Sequence, residues 1–215
     1  MWLFTLLASC AAAPVQPSVS PPADNGLTTP TDTDMGCPLT VDALPTDRTD
    51  PRLQSPHTLV ALKSERVMGL YAQGHLQTLN GVPACFPIAL AWDPPLGHKK
   101  REGDRKTPEG WYDTSDKPWS SYKGAIAVHY PNTEDANAGF GEGAITAQQR
   151  DAIRIATEKG SLPPQNTALG GAILIHGGGA SADWTLGCIA LEDLDLTTLR
   201  LALRPRQSAK LLVLP

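Results

Sequence analysis

Past Ser55 the apolar positions fall in short runs separated by turn-forming residues. Thr58 to Leu62 and Arg66 to Tyr71 flank Lys63-Ser64-Glu65, which predicts a β-hairpin. Phe86 to Trp92, Gly110 to Asp113, Ala125 to Tyr130, Gly171 to His176 and Lys210 to Leu214 are further runs of strand length. Two segments change period. Thr146 and Gln149 have capping-box spacing, Ala152, Ile153 and Ala156 supply an apolar face, and Gly160 a stop. A second helix starts near Asp193, carries Leu196, Leu199 and Leu203 on one side, and ends before Pro205. The pattern predicts a mainly β, β-sandwich-like domain with two or three peripheral helices.

The N-terminal pattern is different. Trp2 to Ala8 is mostly apolar and runs into Leu7-Ala8-Ser9-Cys10, which has the form of a bacterial lipobox with Cys10 as the lipidated residue. The run is too short to span a bilayer. No Lys or Arg precedes it, as one would in an ordinary export signal, and the start codon could lie upstream. A plain signal peptide cut near Ala11 to Ala13, or a cytosolic product, are the alternatives. Ala11 to Asp50 is rich in Pro, Ser, Thr, Asp and Ala, and buries too little to offset its chain entropy. The expected organisation is a signal with lipobox over 1–10, a Pro/Ser/Thr-rich tether over 11–54 and a folded domain over 55–215. The expected location is the bacterial envelope, as a periplasmic-side membrane lipoprotein held by a lipid anchor or as a secreted protein. Cys37 and Cys85 would pair in an oxidising compartment, or stay separate buried thiols.

Composition narrows the partners. A net charge of −4 argues against nucleic acid, and 20 prolines with 19 glycines suit a strand- and loop-rich fold. There is no phosphate-loop motif and no His/Asp/Glu cluster at metal-ligand spacing, so no metal or other cofactor is expected.

The candidate chemistry lies near the C-terminus. Ile173-Leu174-Ile175 delivers His176 to Gly177-Gly178-Gly179, and twelve residues later Thr185-Leu186-Gly187 presents Cys188. A thiol becomes a strong nucleophile as thiolate, and an imidazole within reach can take its proton. Taken alone, the spacing is better explained by a core His and a buried Cys that never meet, since such spacings arise by chance.

A second block adds to this one. Gly97-His98-Lys99 is followed by Gly103-Asp104-Arg105-Lys106-Thr107-Pro108-Glu109-Gly110-Trp111-Tyr112. With Ile175-His176-Gly177 and Thr185-Leu186-Gly187-Cys188-Ile189, the chain resembles the L,D-transpeptidase catalytic domain, the YkuD-like family, from near His57 to its end. The resemblance implies a β-sandwich-like domain and a peptidoglycan-modifying cysteine enzyme acting on stem peptides. Cys188 is then the nucleophile and His176 its base, with the imidazole oriented by the carbonyl of Gly177. Backbone N–H groups near Gly187 would receive the oxyanion. Gly178, Thr185, Trp184 and Tyr130 are further candidates for the substrate or oxyanion surface. Thr185 could also be a simple turn residue and Trp184 core packing.

Leu186 and Ala190 stand where many members carry basic side chains, and the His-to-Cys span is short. Gly187-Cys188-Ile189-Ala190 is similar to the YafK-like branch, which includes a hydrolase that releases a lipoprotein from peptidoglycan. Hydrolysis by a peptidoglycan amidase or peptidase is therefore the second reading. A non-catalytic cell-wall-binding lipoprotein is the third. Asp183 is expected to face solvent, and the basic run from Lys99 to Lys106 to be a solvated loop. Asp104 and Glu109 read as turn-formers.

Overall fold

The computed structural model describes residues 36–92, 97–122, 124–205 and 208–215. The expected signal, the lipobox with Cys10, and the tether up to residue 35 lie outside the described residues. The strands are β1 (Thr58–Leu62), β2 (Val67–Ala72), β3 (His75–Leu76), β4 (Thr78–Leu79), β5 (Val82–Pro83) and β6 (Cys85–Pro87). They continue with β7 (Gly110–Lys117), β8 (Ala125–Val128), β9 (Leu174–His176), β10 (Ile189–Ala190) and β11 (Lys210–Leu214). The helices are α1 (Thr133–Gly141), α2 (Ala147–Glu158) and α3 (Asp193–Ala202).

The main sheet runs β10-β9-β8-β7-β11-β1-β2-β3, and β6 also pairs with β2. Single bridges from Ala89 to Ala190 and from Ala91 to Thr185 bring the chain after β6 to the β10 edge. The sheet therefore curls back towards itself. The expected mainly β domain with peripheral helices is what the chain forms.

Period-two alternation sorts the strands into two faces. Leu59, Met68, Leu70, Tyr112, Ile126, Val128, Ile175, Ile189, Leu211 and Val213 point inward and build the principal core. Helix α3 closes it with Leu196, Leu199 and Leu203, the stripe expected from the sequence. The outer face is treated differently along its length. Over β2, β1 and β11 it presents Tyr71, Val60, Leu212 and Leu214 to Val41, Leu44 and Leu53.

Those last three residues correct the expected tether. Residues 36–54 are built into the domain rather than trailing from it. Cys37 is bonded to Cys85 on β6, Tyr71 donates its hydroxyl to Pro38 O, and two 3-10 turns at Val41–Ala43 and Pro51–Gln54 lie over the sheet. Few large apolar residues are present, but each aliphatic side chain buried here contributes about 1.5–3 kcal/mol.

Helix α1 has no strong apolar stripe in sequence. Its start is fixed by a capping box, in which Asn132 Oδ1 accepts from Asp135 N and Asp135 Oδ2 from Asn132 N. It packs through Ala136 on Ile145, Ile153 of α2 and Leu169. The expected α2 appears with its Thr146–Gln149 capping box.

Candidate active site

The site is assembled by strand register. Across β8 and β9, Ala125 faces His176 and Ala127 faces Leu174. Strands β9 and β10 are parallel, with Ile189 beside Ile175 and Ala190 beside His176. One residue earlier, Cys188 stands beside Leu174 and packs on the Ala125, Ala127 and Leu174 cluster. Cys188 and His176 thus project from the same outer face of neighbouring strands, two positions apart.

His176 is only 1% exposed. Its Nδ1 lies 2.6 Å from Gly177 O. A carbonyl only accepts, so Nδ1 carries the proton and Nε2 is the basic nitrogen. Tyr122 stacks on the ring with centroids 4.0 Å apart, and Trp184 meets it edge-on at 5.4 Å. Burial under these rings pushes the imidazole pKa down, and the Gly177 carbonyl opposes the shift only in part.

The Cys188 thiol is pushed up by burial, against the pull of the Leu174 N–H and of the Lys99 and Lys117 charges. It donates to Ala172 O at 3.7 Å, and among the described residues no hydrogen bond joins it to the imidazole. Ala172 has φ +55°, a left-handed conformation that costs a non-glycine residue about 1–2 kcal/mol. Gln165 holds it there, accepting from Ala172 N at 2.6 Å and donating to Tyr130 O and Pro163 O.

The loop before Cys188 is anchored at several points. Trp184 N and Thr185 N both donate to Leu90 O. Thr185 Oγ1 donates to Cys188 O at 2.9 Å and accepts from Gly187 N. Gly187 has φ +117°, and a Cβ there would lie 2.7 Å from Lys106 O, so only glycine fits. The Gly187 and Gly178 N–H groups are thus committed, the second to Asp193 Oδ1 at 2.9 Å. The Cys188 N–H makes no hydrogen bond among the described residues.

Several sequence expectations change. Tyr130 is fully buried, with its hydroxyl between Lys99 O and Leu169 O, so it packs the core and lines no groove wall beside Cys188. Asp183 does not simply face solvent. It pairs with Arg66 and accepts from Leu90 N, which together hold its carboxyl below the usual range despite the opposing effect of burial. Lys99 leaves the solvated loop, is 4% exposed, and bonds Asp104 at 2.9 Å. Asp104 organises its turn by accepting from Lys100, Arg101 and Lys106 N–H groups, and Glu109 pairs with Lys63. Trp184 is half-exposed, with its indole N–H on Gly179 O. Tyr122, Gln165 and Ala172 were not anticipated. None lies in a recognisable motif, and only the folded register brings them to the site.

The L,D-transpeptidase catalytic domain family, YkuD, matches residues 56–203. Over 106 residues the chain is 33% identical to YafK of Escherichia coli (strain K12), whose name assigns it provisionally to the L,D-transpeptidases. That match takes in 47% of this chain and 41% of YafK. Among solved structures, the helical cell shape determining protein Pgp2 from Campylobacter jejuni is 22% identical with a TM-score of 0.48, over 73% of this chain and 46% of that one. Bd1075 of Bdellovibrio bacteriovorus is 17% identical with a TM-score of 0.44, over 74% of this chain and 48% of that one. The chain spans less than half the length of these relatives. With the family match extending over most of its length, the chain belongs to the L,D-transpeptidase catalytic domain family, with YafK among its relatives.

Proposed function

We propose that the protein is an L,D-transpeptidase that remodels peptidoglycan through an acyl-enzyme on Cys188, with His176 as base. The observation that carries this reading is the shared outer face of β9 and β10, with Nδ1 of His176 committed to Gly177 O. Nε2 is then the ring atom left to receive the thiol proton.

Burial favours a neutral thiol beside a neutral imidazole rather than a resting ion pair. Proton transfer therefore accompanies attack. The thiol turns from Ala172 O, Nε2 takes its proton, and Sγ adds to the donor peptide carbonyl. The Cys188 N–H is the backbone donor free to meet the oxyanion. Collapse breaks the C–N bond, and the imidazolium returns its proton to the leaving amine. An acceptor amine next gives a proton to Nε2 and attacks the thioester, which forms the new amide and restores the thiol. Ala125 and Ala127 keep bulk away from Sγ.

Leu186 and Ala190 offer no basic side chain to an acceptor carboxylate, and this favours water as a second possible acceptor. The deciding experiment incubates the enzyme with stem peptide and rising concentrations of a D-amino acid. Transfer predicts exchanged product in proportion to the amine. An acceptor-independent yield of hydrolysed peptide, carrying solvent oxygen, would reverse the assignment to a hydrolase. The Cys37–Cys85 bond supports an oxidising compartment, and with it the reading of Cys10 as an envelope lipid anchor. Membrane fractionation of the wild type and of Cys10→Ser tests that placement.

A further inference from the structure

The outer face of the sheet holds a second concavity. Trp111, Asp113, Ser115 and Lys117 alternate outward along β7, and His129 follows Ala127 on the same side of the chain leaving β8. Between this row, the turn at Arg52 and the start of α1 lies a cavity of about 130 Å³. Arg52, Trp111, Asp113, His129, Glu134 and Lys210 supply its chemistry.

His129 is 6% exposed. Its Nε2 is 2.9 Å from Ser115 Oγ, while its Nδ1 is buried without a hydrogen-bond partner. Leaving such an atom unsatisfied costs about 1–3 kcal/mol. The charges around it are of both signs. Arg52 lies over the Trp111 ring at 4.5 Å and pairs with Asp50 through Nε and Nη2, which leaves Nη1 unused among the described residues. Lys210 pairs with Asp113. Glu134 is exposed in the first turn of α1 and forms no ion pair among the described residues.

A simple anion would meet Asp113 and Glu134, and a simple cation would meet Arg52 and Lys210. A group with both charges finds a complement for each. We infer that this cavity binds a zwitterion, an ammonium and a carboxylate on one carbon atom, as in a free amino acid or the amino-acid end of a branched residue. Strand spacings place His129 roughly 12 Å from Cys188, two strands across and two residues along. An extended peptide covers that distance in about four residues. A zwitterion bound here is therefore held rather than acylated, and where it is the end of a branched residue it anchors a strand whose carbonyl lies at Sγ. The inference rests on the acyl-transfer reading only for the course of that strand.

Binding is measured without chemistry, in the Cys188→Ala protein, by following the ring resonances of His129 and His176. Alanine should shift His129 saturably and leave His176 still. Propionate and ethylamine, each with half the charge pair, should bind at least tenfold more weakly. A diamino dicarboxylic acid acetylated on one amine distinguishes the sources: tenfold tighter binding than alanine means a branched residue, and equal binding means a free amino acid. Glu134→Gln, an exposed change that spares the fold, should weaken alanine at least tenfold and leave iodoacetamide labelling of Cys188 unchanged in the otherwise native enzyme. Equal binding of propionate and alanine would overturn the inference, as would a His129 signal that no probe moves. Turnover by the native enzyme is scored separately, so loss of this site and loss of the transfer reaction are told apart.

Discussion

The two halves of the outer sheet face differ in what covers them. Over β2, β1 and β11, leucine, valine and tyrosine side chains are sealed by residues 37–54, themselves bonded to the sheet through Cys37 and Cys85. Over β8, β9 and β10 the same face carries Ala125, Ala127, His176 and Cys188, and the cover is two half-exposed rings, Tyr122 and Trp184. One half spends its surface on stability. The other keeps small side chains next to a thiol and leaves burial to tune the titrating groups. The difference teaches that a register of parallel strands can set a thiol and an imidazole on one shared face.

The sharpest way to break the comparison is at the thiol. Cys188→Ala should abolish turnover of stem peptide, while Cys37→Ala and Cys85→Ala should keep the chemistry in whatever protein remains folded. Product analysis by mass spectrometry checks both halves. Undiminished turnover by the alanine variant at 188 would end the cysteine mechanism.

Next comes the base. His176→Gln should lower turnover by about 10²-fold or more. The imidazole pKa is depressed by burial, so the base is competent at neutral pH and is lost only as pH falls through a value below the ordinary histidine range. The acid limb of the pH–rate profile should therefore lie low in the wild type and vanish in the variant. Iodoacetamide labelling should rise towards alkaline pH, because burial raises the thiol.

The covered half should respond in stability instead. Opening the Cys37–Cys85 bond, which closes 48 residues of sequence, should cost about 2–4 kcal/mol in denaturant unfolding. The per-molecule rate of the folded fraction should stay near wild type. A large loss of rate without a loss of stability would mean that the two halves are not separable.

The smallest effect concerns Asp183. Its folded pKa is depressed, so it contributes stability above the ordinary carboxylate pKa and loses it as pH falls through the folded value. Asp183→Asn should flatten the acid side of the stability curve and loosen the Trp184–Thr185 turn through Leu90. Equal acid sensitivity of variant and wild type would remove Asp183 from that role.

Much of this was legible in the chain. Short apolar runs bounded by turn residues gave the hairpin at Lys63 and the strands at Ala125 and Lys210, because a strand buried on both faces reads as a continuous apolar run. The α2 and α3 ends were legible through Thr146 and Pro205. Helix α1 was not, because its buried residues are Asp135, Ala136 and Gly139, which mark no apolar stripe. The built-in segment at 37–54 was hidden for a related reason: three aliphatic residues among prolines read as polar chain until the sheet offers them a surface. At the site, the glycine-flanked His176 and Cys188 stood out, since unusual turns demand glycine. Tyr122 over the imidazole and Gln165 behind Ala172 did not, because their roles arise only from contacts across long sequence separations.

The bond between Cys37 and Cys85 also sets the mechanical character of the domain. A pull applied to the chain at residue 36 passes at the next residue into a covalent link and so into β6, which pairs with β2. Residues 38–57 and strand β1 are bypassed. The load therefore enters the sheet before it reaches Val41, Leu44 and Leu53. A folded unit attached through its N-terminal side can thus be tugged from that end before the load reaches its apolar cover.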